Sequence, residues 1–213
     1  MIVLSGMIGA GKSSLATILS KHLGTKPFYE QVDDNPVLPL FYKDPKKYAF
    51  LLQIYFLNKR FASIKKAMAD DNNVLDRSIY EDSLFFHMNA DMGRATPQEV
   101  QVYDELLANM MEELPYAAHK KAPDLLVHLD ISYDMTIKHI KKRGRPYEQP
   151  KNDLSLEDYY HNLLGRYDTW YEDYNYSPKM KINCDKYNFV EKPQDRAAVL
   201  KQIDDNLRLY HKI

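Results

Sequence analysis

The 213-residue chain sets 29 lysines and arginines against 30 aspartates and glutamates, a formal net charge of −1, which excludes a whole-chain field that gathers nucleic acid or an anionic membrane. One cysteine, Cys184, excludes an intramolecular disulfide framework and a CxxC zinc site and suits a reducing compartment, the cytoplasm. No apolar run approaches the ~18 residues that span a bilayer, the opening Met1-Ile2-Val3-Leu4 carries no basic leader, and the simplest organisation is a single domain over residues 1–213.

Residues 1–5 are the first apolar run with strand character, and Gly6-Met7-Ile8-Gly9-Ala10-Gly11-Lys12-Ser13-Ser14 follows, opening a helix. Asp44-Pro45 starts a helical stretch over 45–69 whose Phe50, Leu51, Ile54, Leu57, Phe61 and Ile64 recur at helical spacing and predict one long buried helix. Val74-Leu75 predicts a strand ending at Asp76. Thr96-Pro97-Gln98-Glu99 joins a capping box to a proline at the first helical position, and the helix over 99–114 repeats the apolar pattern through Val102, Leu106, Met110 and Met111. Core packing is the ordinary meaning of such stripes. The alternative is that the Met-rich surface meets a second subunit. Strands at 125–129 and 180–183 and helix starts at Ser155 and Pro193 complete an alternation that predicts βαβ units and a parallel sheet covered on both faces.

Residues 6–13 fit G-x-x-x-x-G-K-[ST] in the context the motif needs, after a strand and before a helix. The glycines let backbone N–H groups turn inward around phosphates, and the helix N-terminus adds partial positive charge. Lys12 is the candidate for the β- and γ-phosphates and Ser13 for Mg²⁺, so the chain is predicted to bind a nucleoside triphosphate with that metal.

A GTP switch needs an N-K-x-D base-reading motif, and Asn58-Lys59 continues into Arg60-Phe61 instead. A motor or transport ATPase would end an apolar strand in Asp-Glu, whereas Val74-Leu75 run into Asp76-Arg77-Ser78. An acid followed by arginine at a strand end suits phosphoryl transfer to a small substrate: Asp76 holds Mg²⁺ directly or through water, and Arg77 faces developing negative charge. The bland alternative is a solvated ion pair. The most basic stretch is Lys138-His139-Ile140-Lys141-Lys142-Arg143-Gly144-Arg145, broken by Pro146. At a net charge of −1, it reads as an arginine-rich mobile lid over about 139–149, a loop rather than a helix, that closes on the transferring phosphoryl group. A nucleic-acid stripe and a solvated helix end are the alternatives.

Together the phosphate loop, Asp76-Arg77-Ser78 and Arg143-Gly144-Arg145 ahead of Glu148 resemble the deoxyribonucleoside kinases over nearly the whole chain. Asp34-Asn35-Pro36-Val37-Leu38-Pro39-Leu40-Phe41-Tyr42 and Asp76-Arg77-Ser78-Ile79-Tyr80-Glu81-Asp82 are most like the bacterial deoxyadenosine/deoxyguanosine kinases. The resemblance implies an α/β, P-loop nucleoside monophosphate kinase-like three-layer fold with a parallel five-stranded sheet flanked by helices, and a homodimer joined through long helices. It implies cytoplasmic salvage in which ATP, with Mg²⁺, phosphorylates the 5′-hydroxyl of a purine deoxynucleoside, with deoxycytidine as a secondary substrate and neither nucleic acid nor membrane as partner.

Carried over residue by residue, the resemblance puts the phosphate cradle on Gly6 to Ser14 and the proton-accepting carboxylate on Glu30. Tyr42 and Glu148 match the pair that binds the sugar 3′-hydroxyl. Gln53 matches the residue that reads the base edge, a task suited to a side chain with both donor and acceptor. Arg60 and Asp82 line the base pocket, Arg77 touches the 5′-oxygen, Arg143 and Arg145 the phosphates, and Phe189 stacks on the ATP adenine. Two positions depart from the pattern. Met7 stands where proline is frequent, and His139 replaces an arginine, which implies a weaker or pH-dependent phosphate contact near a histidine pKa of ~6.5. A thymidylate-like monophosphate kinase shares the phosphate loop, the Asp-Arg pair and the lid, but must hold a charged acceptor. The acidic surroundings of Glu30, Asp33 and Asp34 favour a neutral nucleoside. A nucleotide-gated binding module is the non-enzyme alternative, with ATP binding and no turnover.

Overall fold

Branched apolar residues favour extended backbone, and Ile2-Val3-Leu4 becomes the middle strand of the sheet. In chain order the elements are β1 (Ile2–Gly6), α1 (Lys12–Leu23), β2 (Pro27–Phe28), α2 (Leu38–Lys43), α3 (Pro45–Ala67), β3 (Val74–Asp76), α4 (Ile79–Asp91), α5 (Pro97–Ala117), β4 (Leu125–Asp130), α6 (Tyr133–Arg143), α7 (Ser155–Asp173), β5 (Lys179–Asn183) and α8 (Pro193–Leu209). The computed structural model describes residues 1–210 other than Gln31, Asp33, 118–121 and Leu154. Asp33, one of the expected acidic residues, therefore lies outside the described residues.

Two units are distinct. The first takes Met1–Tyr29, Ala67–Arg77 and the chain from Ala122 onward, and it holds all five strands, paired in parallel in the order β2-β3-β1-β4-β5, with α1, α6, α7 and α8. β1 and β3 are buried throughout and β4 as far as Leu129. Unbroken burial, in place of alternation, is what a parallel sheet covered on both faces requires. The register pairs Leu4 with Asp76 and Gly6 with Leu129, so the ends of β1, β3 and β4 lie side by side where the glycine loop begins. At Gly6 a Cβ would lie 2.6 Å from the Leu129 carbonyl oxygen, and φ is +136°, so only glycine fits.

The second unit, Glu30–Lys66 with the segment from Ser78 through α5, is helical. Two of its helices, α4 and α5, start on reciprocal caps. The Ser78 N–H donates to Glu81 Oε2 at 2.8 Å while the Tyr80 N–H donates to Ser78 Oγ at 3.0 Å. At α5 the Thr96 N–H donates to Glu99 Oε2 at 2.7 Å and the Glu99 N–H to Thr96 Oγ1 at 3.2 Å. The second box was anticipated from sequence; the first carries the same signature and marks the start of α4.

Three expectations change. The buried face of α3 is Ala49, Leu52, Gln53, Leu57, Arg60, Ile64 and Ala67, whereas Leu51 is 49% exposed and Phe50, Ile54 and Phe61 are half-buried. Two polar side chains occupy inward positions, so the apolar stripe is rotated off the true core face. In α5 the fully buried residue is Tyr103, Val102 is 52% exposed, and Leu106, Met110 and Met111 are half-buried. The basic stretch up to Arg143 is helical, not a loop. Thr136 and Ile140 are buried on one side of α6, and Lys141, Lys142 and Arg143 sit in its last turn, where the helix dipole favours cations. The loop begins only at Gly144, and two short 3-10 turns, Pro146–Glu148 and Pro150–Asn152, follow it. β2 has two residues, too few to show a period.

Candidate active site

In the sheet unit the glycine loop leaves β1 and enters α1 at Gly11, whose φ is +94°. Lys12 is buried and its Nζ donates to the carbonyl oxygens of Gly6 at 2.7 Å and Met7 at 2.8 Å. That folds the ammonium back over the loop from which a phosphate would be cradled. Ser13 Oγ donates to Asp76 Oδ2 at 2.5 Å. A hydroxyl and a carboxylate thus meet at the end of β3, a pair of hard oxygen donors. Phe189 is buried, and its Cζ lies 3.2 Å from where a Cβ on Gly11 would be, so its ring walls the loop.

Arg77 follows Asp76 with φ +76°, a left-handed backbone uncommon outside glycine. Its N–H donates to the Leu4 carbonyl at 2.9 Å. Its Nη1 donates to Tyr167 Oη at 3.1 Å, and Tyr167 Oη donates to the Gly6 carbonyl at 3.0 Å. His139 on α6 meets the Gly9 carbonyl through Nδ1 at 2.8 Å. A carbonyl only accepts, so Nδ1 carries the hydrogen. This histidine therefore grips the backbone of the glycine loop, a contact its substitution for arginine did not suggest.

The segment after α6 gathers around Glu148, which is buried. Arg143 Nη2 donates to its Oε2 at 2.5 Å and Arg145 Nη1 to its Oε1 at 3.4 Å. Tyr160 Oη donates to the Glu148 carbonyl at 2.9 Å, and Gln149 Nε2 to the carbonyls of Ile140 at 3.0 Å and Arg145 at 3.1 Å. The two lid arginines and the lid glutamate expected at separate tasks are thus one cluster.

The helical unit holds Glu30, Tyr42, Gln53, Arg60 and Asp82. Arg60 Nε donates to Asp82 Oδ1 and Oδ2 at 3.1 and 2.9 Å, and its Nη2 to Glu30 Oε1 at 2.7 Å. One guanidinium, itself buried, bridges two carboxylates from different elements. Buried charges persist only when paired in this way. Gln53 is buried on α3 seven residues, two helical turns, before Arg60, so both share a face. Tyr42 is half-buried on α2, its ring edge-on to Phe41 at 5.5 Å. Tyr103 packs on Phe86 at 4.7 Å; burial, and then the Asp82 carboxylate, push its phenol pKa upward, so it stays protonated.

Sequence reasoning missed Tyr167 and Tyr103. Each is one of 17 tyrosines in the chain, and no local motif separates a hydroxyl that meets the phosphate loop from one that only packs. His128, buried on β4, was also missed. Its Nδ1 lies 3.0 Å from Ser5 Oγ and its ring among Tyr167, Trp170 and Tyr171. Burial first, then the Lys181 and Lys12 charges, push its pKa down to about 3. Among the described residues no group of three or more His, Cys, Asp or Glu side chains has the arrangement of a metal cage.

The family model for deoxynucleoside kinase matches residues 2–208. The chain is 68% identical to a deoxyguanosine kinase of Lactobacillus acidophilus over 213 residues, 100% of this chain and 93% of that one. It is 57% identical to a deoxyadenosine kinase of the same organism, over 98% of this chain and 96% of that one. Among solved structures, a deoxyadenosine kinase from M. mycoides with bound dATP superposes with a TM-score of 0.79 at 29% identity, over 95% of this chain and 98% of that one.

Proposed function

The chain belongs to the deoxynucleoside kinase family, and on that premise we propose that it transfers the γ-phosphoryl group of ATP to the 5′-hydroxyl of a purine deoxynucleoside, with deoxyguanosine preferred. The observation that carries the reading is the Glu30–Arg60–Asp82 bridge. A monophosphate acceptor would call for cations of its own, whereas here the buried arginine is engaged by two acids, which suits a neutral acceptor. The preference for deoxyguanosine is supported by the 68% identity to a deoxyguanosine kinase against 57% to a deoxyadenosine kinase.

In this mechanism the backbone N–H groups of residues 6–14 cradle the triphosphate and Lys12 turns its ammonium onto the β- and γ-phosphates. Ser13 and Asp76, already in contact, would hold Mg²⁺ as two hard oxygen ligands. The ion, when bound, neutralises phosphate charge and orients the γ-group. Within the helical unit Gln53 reads the base edge beside Arg60 and Asp82, and Tyr42 binds the sugar. The 5′-oxygen forms the new P–O bond, the β,γ-bridging P–O bond breaks with its electron pair leaving on ADP, and the hydroxyl proton passes to a Glu30 carboxylate oxygen. Arg77, Arg143 and Arg145 stabilise the charge on the transferring group, and Phe189 walls the donor.

A homodimer through the long helices is proposed on the family resemblance, with Leu51 on α3 and Val102 on α5 as exposed candidate contacts. Among the described residues no helix is long and apolar enough to cross a membrane. A cytoplasmic setting is supported by the one cysteine, buried and unbridged, whose thiol burial pushes up to about 12. A coupled ATP assay with Mg²⁺ tests the proposal against deoxyguanosine, deoxyadenosine, deoxycytidine, thymidine and dTMP. The highest kcat/KM is expected with deoxyguanosine. Turnover of dTMP alone would replace the reading by a monophosphate kinase, and ATP binding without turnover of any acceptor by a nucleotide-binding module.

A further inference from the structure

We infer that Tyr167 is a positioning residue that locks the Arg77 guanidinium to the mouth of the phosphate loop, an inference that rests on the kinase reading above. A phenol has one hydrogen to donate and lone pairs to accept with, and Tyr167 uses both at once. It donates to the Gly6 carbonyl at 3.0 Å and accepts from Arg77 Nη1 at 3.1 Å. The same carbonyl accepts from Lys12 Nζ at 2.7 Å. Two cations of the phosphate site therefore converge on one backbone oxygen, Lys12 directly and Arg77 through a single hydroxyl.

The two ends of Arg77 are fixed by different parts of the unit. Its left-handed backbone is pinned to β1 through the Leu4 carbonyl. Its head reaches α7, ninety residues away in sequence. A guanidinium on a flexible stem samples many rotamers unless something holds the head, and transition-state stabilisation depends on the charge being in place beforehand. Tyr167 can hold it because its own ring cannot move: it is 2% exposed and packed on His128 at 5.4 Å and Trp170 at 6.0 Å.

Tyr167→Phe keeps the ring and removes the hydroxyl. Turnover is expected to fall ~10-fold or more, as a misplaced catalytic group does, while both KM values stay within ~3-fold, since ground-state binding is untouched. Tyr167→Phe added to Arg77→Lys should slow the enzyme no further than Arg77→Lys alone, because residues acting through one another are not additive. Tyr171→Phe, which packs on the same His128 ring and makes none of these hydrogen bonds, should keep full turnover. Amide hydrogen exchange supplies a readout without catalysis: residues 6–13 and 77–78 should exchange faster in Tyr167→Phe and not in Tyr171→Phe. Unchanged turnover with unchanged exchange overturns the inference, and so does a loss confined to the ATP KM or matched by a lower melting temperature. If the wild-type protein phosphorylates no deoxynucleoside, the kinase reading falls, and the exchange comparison still decides the tether.

Discussion

The sheet unit and the helical unit place their chemistry in different parts of the chain. Around the phosphate loop the working atoms are largely backbone: the Gly6 and Met7 carbonyls that Lys12 reaches, the Gly9 carbonyl that His139 holds, and the N–H groups that follow β1. In the helical unit they are side-chain heads carried inward by helices, with Arg60 between Glu30 and Asp82. Backbone sites tolerate side-chain variety but demand glycine where another strand comes close. Helix-borne sites bury polar groups in an apolar face and persist only while each partner is present. Substitutions in the two units should therefore fail in different ways.

The largest effect is expected at Lys12. Lys12→Ala removes the charge poised over the loop and should lower kcat/KM by ~10³-fold, the scale of losing a preorganised electrostatic contact. Circular dichroism should show an intact fold. A loss under tenfold would mean that the backbone cradle alone does the work. Next is Glu30→Gln, which keeps the hydrogen bond from Arg60 possible and abolishes the proton acceptor. Turnover should fall ~10²-fold with ATP affinity, read by calorimetry, unchanged. Equal turnover would remove Glu30 from the chemistry and leave it a structural partner of Arg60. Smaller again is Gln53→Ala, which should raise the deoxynucleoside KM ~10-fold, the scale of losing one or two hydrogen bonds, and leave the ATP KM in place. Parallel changes in both KM values would erase the division of labour between the units.

What could be read from the sequence follows the same division. The phosphate loop is contiguous, and its glycines, lysine and serine are constrained by one local turn, so residues 6–13 announce a function unaided. Asp76 was legible because a strand end fixes where a carboxylate goes. The helical unit was legible only by resemblance: Glu30 precedes α2, Gln53 and Arg60 lie on α3 and Asp82 on α4, and periodicity assigns Gln53 and Arg60 to solvent. That is why the α3 stripe came out rotated, with Leu51 exposed. The basic stretch up to Arg143 reads as a loop in the sequence and is a helix for a related reason. Gly144 and Pro146 mark where the helix stops, and they say nothing about the buried Thr136 and Ile140 that hold the preceding turns helical. Tyr167 lay beyond any local pattern, because its partners are ninety residues away or further in the chain.

The last prediction concerns stability and not turnover: a pH dependence that runs through His128 in the sheet unit. In the folded chain burial and two nearby lysines hold its pKa at about 3, against 6.5 for an ordinary histidine. Above pH ~6.5 the ring is neutral in both the folded and the unfolded chain and stability does not depend on it. As pH falls below that value the unfolded chain binds a proton and the folded one does not, so stability is lost progressively until the pH nears 3. Linkage puts the loss between pH 7 and pH 5 at about 2 kcal/mol, or roughly 4–8 °C in melting temperature for a chain of this size. His128→Gln cannot bind that proton and should flatten the slope, whatever it does to the melting temperature at pH 7. Equal slopes in the two proteins would mean that the cavity among Tyr167, Trp170 and Tyr171 admits a charged ring, and with it enough water to loosen the hydroxyl that joins Arg77 to Gly6.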